Sequence, residues 1–175
     1  ADEPAVFTLS SDLSFLGTTG FELVDRFFLL INIDMVDQFT VETPDKTYVG
    51  RIEREPVPEE EREGEEEEFI ETYYLNGVEI EEESFKDYYQ KVIGLLVDAE
   101  NPQPQPGDPE ITIRFDLNKD VDQITSAELV PLNQNFYSVY QEGLSEFVLS
   151  RVQVERMIRT AEQVLAEARE GSAEE

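Results

Sequence analysis

The chain contains neither cysteine nor histidine among its 175 residues. Disulfide bonds, thiolate nucleophiles and the usual Cys and His ligands of zinc are therefore excluded. The commonest proton carrier near neutral pH is missing as well, because histidine is the side chain whose ordinary pKa lies there. Catalysis would have to use carboxylates, a serine or threonine activated by lysine, or a metal site built from oxygen ligands.

Long apolar runs and the common catalytic motifs are also absent from the sequence. The longest apolar stretch, Phe27–Ile31, is far shorter than the ~20 residues of a membrane-spanning helix. The 9 glycines form neither G-x-G-x-x-G nor G-x-x-x-x-G-K, so no nucleotide-phosphate loop is predicted. No G-x-S-x-G or S-x-x-K motif supports a serine hydrolase. A glycosidase needs two carboxyl groups about 5 to 10 Å apart, and the sequence nominates no such pair.

Acidic residues are present in large excess, with 41 Asp and Glu against 13 Lys and Arg and a formal net charge of -28. Nucleic-acid affinity depends mainly on cationic side chains that neutralise phosphates, so we expect no nucleic-acid partner. Solubility, with adaptation to salt, is the ordinary role of such a charge, and a cationic partner is the alternative. The excess is uneven, since residues 51–100 hold 18 acidic and 5 basic residues.

The first half of the chain predicts two β-hairpins and a helix. Phe39–Glu55 is rich in β-branched and aromatic residues on both sides of a turn at Thr43–Lys46. Phe69–Ile80 is a second hairpin, in which Asn76-Gly77 supplies the positive φ angles of a type I′ turn. Glu82–Leu96 is the helix. Its apolar face consists of Phe85, Tyr88, Tyr89, Val92, Ile93 and Leu96.

Glu59–Glu68 separates the two hairpins and contains eight Glu, one Arg and one Gly. Such a self-repelling run predicts a solvated insertion, which we place at residues 56–68. Diffuse binding of divalent cations or of a basic partner is the alternative. Further along, Asn101–Pro109 contains four prolines and predicts a linker or a long crossing loop.

The second half predicts the same order of elements as the first. The final helix, Val152–Ala168, carries an apolar stripe at helical spacing. The predicted strands are Glu110–Asp116, Gln123–Val130, Phe136–Tyr140 and Glu146–Leu149. The fold class expected from this order is α+β, as a duplicated unit of about four antiparallel strands followed by one amphipathic helix.

The predicted boundaries follow from this duplication. Phe7–Ser10 and the apolar residues after it parallel Phe147–Ser150 and the last helix, so residues 1–38 are expected to be the tail of an earlier repeat plus a connection. Because the chain starts at Ala1, we expect a longer natural N-terminus. The remaining expected segments are the repeats 39–100 and 110–170, the linker 101–109 and a flexible tail at 171–175.

Three segments resemble the bacterial domain-of-unknown-function family 4340. They are YYLNGVEIEEESFKDYYQKVIGL at Tyr73–Leu95, FVLSRVQVERMI at Phe147–Ile158 and FELVDRFFLLINIDMVDQFTV at Phe21–Val41. The resemblance implies repeated strand-and-helix units outside the cytoplasm, an upstream membrane anchor and, in many members, genes beside gliding-type ABC transporter components. Its motifs are structural, so it assigns no active-site residue. The Glu59–Glu68 run is longer and more acidic than the family pattern.

Two candidate ligand sites stand out. Asp116, Asn118, Asp120 and Asp122 alternate as calcium ligands do in D-x-N-x-D-x-D loops. The match departs from that loop where Val121 replaces glycine and Ala127 replaces the bidentate Glu, and a hairpin turn with Asx-type hydrogen bonds is the alternative. The second site is a set of aromatic residues that could face a sugar or a peptide, and packing of the rings on the sheet is the alternative. Alternation places Tyr73 and Tyr74 on opposite strand faces, so one is expected in the core and the other outside. The set comprises Tyr73, Tyr74, Tyr88, Tyr89, Phe136, Tyr137 and Tyr140.

These observations predict a non-enzymatic interaction or scaffold domain, and the family resemblance implies that it is extracytoplasmic. The expected partner is a protein of the cell envelope, with ABC transporter subunits as candidates implied by the family resemblance. Membrane contact is expected only through an anchor upstream of the chain, and no cofactor is expected apart from calcium at the Asp116–Asp122 turn. The alternative function is a ligand-binding module for calcium or a glycan.

Overall fold

The computed structural model of the protein describes residues 26–58, 69–119 and 125–171. These residues form nine β-strands, two α-helices and one turn of 3₁₀-helix at Ile33–Met35. The strands are β1 (Val36–Glu42), β2 (Thr47–Pro56), β3 (Phe69–Leu75), β4 (Val78–Ile80), β5 (Ala99–Glu100), β6 (Ile111–Leu117), β7 (Ser126–Pro131), β8 (Phe136–Gln141) and β9 (Leu144–Ser150). The helices are α1 (Glu82–Ile93) and α2 (Arg151–Gly171).

All nine strands belong to one antiparallel sheet, in the order β4-β3-β2-β1-β6-β7-β8-β9-β5. At its centre β1 pairs with β6, and Phe39 lies opposite Phe115. Outward from this pair the strands run in chain order, β1 to β4 on one side and β6 to β9 on the other, and a helix follows the fourth strand of each run. The short strand β5 lies at the edge, beside β9. The α+β class is therefore confirmed, whereas strand order alone does not demonstrate a duplication, which stays a prediction.

The predicted turns are found where turn chemistry placed them. The Thr43 hydroxyl accepts a hydrogen bond from the Lys46 N–H at 3.0 Å and donates one to the Lys46 carbonyl at 2.7 Å. Asn76 and Gly77 have φ angles of 51° and 77°, as a type I′ turn requires. Glu142 and Gly143 close the β8–β9 hairpin with φ angles of 51° and 81°. The conformations of these turns can therefore be predicted from the local sequence.

Both helices pack against one face of the sheet, and Phe39 lies at the centre of the resulting core. Its ring centroid is 5.8 Å from that of Phe85 and 5.6 Å from that of Tyr88, both on α1. It is also 5.9 Å from Phe115 across the central strand pair. Aromatic pairs at such distances contribute beyond the area that they bury. This cluster therefore couples α1 to both halves of the sheet.

Helix α1 ends at Ile93, which corrects the prediction that it continues to Leu96. The Gly94 N–H makes the last helical bond, to the Gln90 carbonyl at 2.9 Å. Beyond it, the backbone N–H and C=O of Leu96 bond to the side-chain amide of Gln153 on α2, at 3.0 and 2.9 Å. Leu96 also forms an isolated β-bridge with Phe27. Hydrogen bonds to residues distant in sequence thus replace the helical hydrogen bonds beyond Gly94. The apolar periodicity of the sequence alone cannot predict this change.

The proline-rich segment at residues 101–109 crosses the sheet face opposite the helices. Asn101 is buried, and its Nδ2 donates to Ser138 Oγ and to Ser145 Oγ, both at 3.0 Å. Ser138 faces away from the helices, because its neighbours along β8 pack in the core. The Tyr140 hydroxyl donates to the Gln105 carbonyl at 2.9 Å. The segment is therefore a crossing loop fixed to the sheet.

Two further features concern the predicted boundaries. Residues 99–100, which the sequence assigned to the first repeat, form β5 and pair with β9 of the second half. The predictions for residues 1–25, for most of the acidic insertion and for the tail beyond Gly171 lie outside the described residues. No helix among the described residues has both the length and the apolar character needed to cross a membrane.

Candidate functional site

The predicted calcium turn starts at the end of β6, and the structure describes half of it. Asp116 is exposed and accepts a 3.3 Å hydrogen bond from Gln38 Nε2. Asn118 Nδ2 donates to the Asp34 carbonyl at 2.8 Å, and its backbone N–H donates to the Met35 carbonyl at 2.9 Å. These bonds tie β6 to the 3₁₀ turn. The other two predicted ligands, Asp120 and Asp122, lie outside the described residues.

In the part of the chain that the structure describes, no three acidic side chains converge in a way that could hold a metal ion. Calcium binding at the Asp116–Asp122 turn therefore stays a prediction.

The aromatic side chains are divided between the core and two distant places on the surface. Tyr73 is buried and Tyr74 is half-buried on the opposite strand face, as alternation predicted. Tyr74 lies against Arg51, whose Cζ is 5.2 Å from the ring centroid, while the Tyr140 hydroxyl holds the crossing loop. β3 and β8 are separated by five strand spacings, about 24 Å. The outward tyrosines therefore do not form one stacking surface for a sugar.

A polar cluster joins the start of α2 to the sheet. The Tyr137 hydroxyl donates to Glu110 Oε1 at 2.7 Å, and Arg151 contacts both carboxylate oxygens of Glu110 at 3.3 Å. The Arg151 guanidinium also lies 4.1 Å from the Tyr137 ring centroid. Burial and the hydrogen bond to Glu110 raise the pKa of Tyr137, so the phenol stays protonated.

This cluster borders a cavity of about 330 Å³, and an ion pair between Lys46 and Glu162 lies on the same cavity. The hydrogen bond from Lys46, at 2.5 Å, lowers the pKa of the Glu162 carboxyl. Glu110 and Glu162 are each paired with a cation, and the Tyr137 phenol is a donor rather than a base. These side chains link α2 to the turn before β2, to the start of β6 and to β8.

An apolar groove lies between α1 and the segment that precedes β1, and we call it the α1 groove. Its volume is about 580 Å³. Leu30 stands at its edge with 61% of its surface exposed. The groove is lined by Leu30, Ile31, Asn32, Ile33 and Met35 on one side and by Lys86, Tyr89, Gln90 and Ile93 on the other. Six of these nine residues are apolar or aromatic, so the walls consist mainly of apolar side chains on a strongly acidic protein.

Side-chain hydrogen bonds hold the wall formed by residues 29–35. The Tyr89 hydroxyl donates to the Ile31 carbonyl at 2.8 Å. Arg54 Nη2 donates to the Ile33 carbonyl at 3.1 Å, and its Nη1 donates to the Val36 carbonyl at 2.9 Å. These bonds satisfy backbone groups that a strand partner would otherwise bind. The segment is thereby fixed without being covered, which leaves Leu30 and Ile33 at the surface of the groove.

Arg54 is itself held by a carboxylate on β3. Its Nε donates to Glu71 Oε1 at 2.8 Å, and the Tyr73 hydroxyl donates to the other oxygen of Glu71. Burial opposes ionisation of Glu71, but the hydrogen bonds from Tyr73 and Arg54 outweigh it and lower the pKa of the carboxyl. Burial and the bond to Glu71 raise the pKa of Tyr73 to about 12. The groove wall therefore rests on a charged, hydrogen-bonded network.

Sequence reasoning did not identify the α1 groove. The available signal was Phe27–Ile31, the longest apolar run, which has too many apolar residues for a strand with one solvated face. Its position against α1 depends on Arg54 and Tyr89, and no local pattern reveals those long-range bonds.

Comparison with known proteins adds no relative to this description. No protein-family model, no curated protein and no solved structure matches the chain.

Proposed function

We propose that this protein is a non-enzymatic interaction domain that binds a partner protein through the α1 groove. The observation that carries the proposal is the exposure of Leu30 and its apolar neighbours in a groove with fixed walls. Covering apolar surface gains roughly 25 cal/mol per Å², and walls that are already ordered lose little entropy on binding. Such a groove on a chain of net charge -28 is typical of a docking site.

The occupant that we propose is an apolar segment of another protein of the cell envelope. A second copy of the chain is disfavoured, because two molecules that each carry a net charge of -28 repel one another. The expected context is a membrane-anchored bacterial protein with its anchor upstream, accessory to an ABC transporter. That context rests on the resemblance to family 4340, and the two four-strand halves of the sheet agree with the duplication expected there.

The test is affinity purification from native membranes with the full-length anchored protein as bait and mass spectrometry of what is recovered. Leu30→Asp should remove the partner, because it places a charge in the apolar groove. Leu144→Asp is the matched control, since Leu144 is an exposed leucine in the β8–β9 hairpin that does not line the groove. Reproducible recovery of transporter subunits that Leu30→Asp alone abolishes would support the proposal. Recovery of no partner, or equal loss with both variants, would contradict it.

A calcium or glycan module is the second candidate function. The exposed Asp116 carboxylate at the end of β6 favours calcium, because it is open to an incoming cation. Calcium that binds only the folded protein must raise its melting temperature. Asp116→Ala and Asp120→Ala should abolish that rise. A melting temperature that does not change with calcium would exclude the calcium site.

A further inference from the structure

The sheet ends at β4, whose outer edge pairs with no strand in the part of the chain that the structure describes. In a two-residue hairpin the residues that flank the turn, Leu75 and Val78, bond to each other through their backbones. The next residue, Glu79, therefore directs its backbone N–H and C=O away from β3. An extended chain placed alongside β4 would find a donor and an acceptor there.

A groove of about 600 Å³ follows this edge, and we call it the β4 groove. Its apolar floor includes Ile80 and Val164, of which 5% and 7% of the surface is exposed. Three exposed carboxylates, from Glu79, Glu81 and Glu167, form its rim. The other lining residues are Ser84, Ala168 and Gly171, so the described lining includes neither lysine nor arginine.

We infer that the β4 groove binds an extended, cationic segment of a partner protein, which adds a strand to the sheet beside Glu79. Side chains alternate along a strand, so such a segment can place apolar residues on the floor and lysines or arginines at the rim. The edge supplies backbone hydrogen bonds, and the three carboxylates determine the charge of the occupant. This surface is separate from the α1 groove, and the inference does not depend on the proposed function.

The rim also argues against a second copy as the occupant. Charged side chains on a short edge strand prevent identical edges from pairing. Two β4 edges would bring Glu79 of one molecule against the acidic rim of the other, and like charges directly opposite each other are destabilising. The same carboxylates favour a cationic strand, so repulsion of the wrong partner and attraction of the right one come from the same residues.

The probe for the test is a short peptide in which lysine alternates with valine, titrated into the isotopically labelled protein at physiological salt. We expect shifts of the backbone resonances of Val78–Ile80 and slower amide exchange at Glu79. A peptide that alternates glutamate with valine should not bind, and an all-lysine peptide of the same length should bind about tenfold more weakly, because it cannot cover the apolar floor. Equal binding of the all-lysine peptide, or shifts elsewhere on the protein, would overturn the inference.

Charge-reversal variants distinguish binding at the β4 groove from non-specific attraction to the acidic protein as a whole. The triple variant Glu79→Lys, Glu81→Lys and Glu167→Lys should weaken binding of the lysine-valine peptide by at least about tenfold. The control reverses the same number of exposed carboxylates elsewhere, with Glu42→Lys, Glu55→Lys and Glu128→Lys, and should change binding only slightly. Equal weakening in both variants, or no binding to the unmodified protein, would refute the site.

Discussion

Gly50 on β2 lies directly against the aromatic ring of Phe39 on β1. The two residues are opposite each other in the strand pair, and a Cβ at Gly50 would overlap the ring atoms Cδ1, Cε1 and Cζ of Phe39. The missing side chain lets the ring lie over the neighbouring strand, where it reaches Tyr88 and Phe85 of α1. The aromatic core therefore depends on a glycine in the interior of a strand, where glycine is otherwise unfavourable.

Gly50→Ala should destabilise the protein by about 1 to 3 kcal/mol, because the added methyl group displaces a ring that is packed on all sides. Urea denaturation measures the change. Gly171→Ala is the matched control, because a Cβ at the end of α2 would meet no atom of the described structure within 4 Å. Equal effects of the two substitutions would show that the Phe39 ring is not confined as described.

Two adjacent tyrosines on α1 provide an internally controlled comparison. The Tyr88 hydroxyl is fully buried and has no hydrogen-bond partner within the described ranges, and burial raises its pKa. Tyr88→Phe should leave stability unchanged or raise it by about 1 kcal/mol, since it removes an unsatisfied polar group. Tyr89→Phe should lower stability by about 1 kcal/mol, because the Ile31 carbonyl loses its donor. Thermal denaturation distinguishes the two; a large loss in Tyr88→Phe would mean that its hydroxyl does have a partner.

Asn101 fixes the crossing loop to the back of the sheet. Asn101→Ala should cost about 1 to 3 kcal/mol, because the buried hydroxyls of Ser138 and Ser145 both lose a donor. Hydrogen exchange should increase at residues 101–110, and urea denaturation should show the loss of stability. Gln103→Ala changes an exposed residue of the same loop and is expected to have little effect. If both variants exchange alike, the loop is held by contacts other than those of Asn101.

Glu71 should make stability depend on pH in the acidic range. Its pKa in the folded protein lies below the ordinary 4.5, so the stabilisation is fully present above that value and is lost as the pH falls through the folded pKa. Glu71→Gln should cost about 1 to 2 kcal/mol at neutral pH, and its difference from the unmodified protein should shrink as the solution is acidified.

The measurement for Glu71 is the free energy of unfolding in urea at a series of pH values. Glu42→Gln, at the exposed end of β1, is the control for the general effect of removing one carboxylate. A difference between Glu71→Gln and the unmodified protein that stays constant with pH would contradict the role assigned to Arg54 and Tyr73.

Much of the fold follows from short-range patterns in the sequence. Asn76-Gly77 and Thr43–Lys46 determine their turns through local backbone chemistry, and the apolar stripe of α2 is evident from its spacing. These signals depend on residues within a few positions of one another. These patterns can therefore be recognised without knowledge of the rest of the chain.

The candidate sites depend on contacts that no local pattern contains. The α1 groove requires Arg54 and Tyr89 to bond to a segment more than ~20 residues away, and the end of α1 depends on Gln153 of α2. The β4 groove forms because α2 begins after β9, near one edge of the sheet, and its last turns lie beside β4 at the other edge. The approximate length of α2 follows from its apolar stripe, but no local pattern specifies the order of the strands, and both are needed to bring the end of α2 beside β4.

The pairing of β1 with β6 has a consequence for how the chain folds. Each four-strand half can grow from neighbouring strands, but Phe39 meets Phe115 only after roughly 75 intervening residues have been closed into a loop. The pairing of β1 with β6 should therefore form late and limit the folding rate. Until then β1 and β6 each present an open edge, to which the complementary half of another molecule could bind. During refolding at high protein concentration, we expect domain-swapped dimers to form through this strand pair.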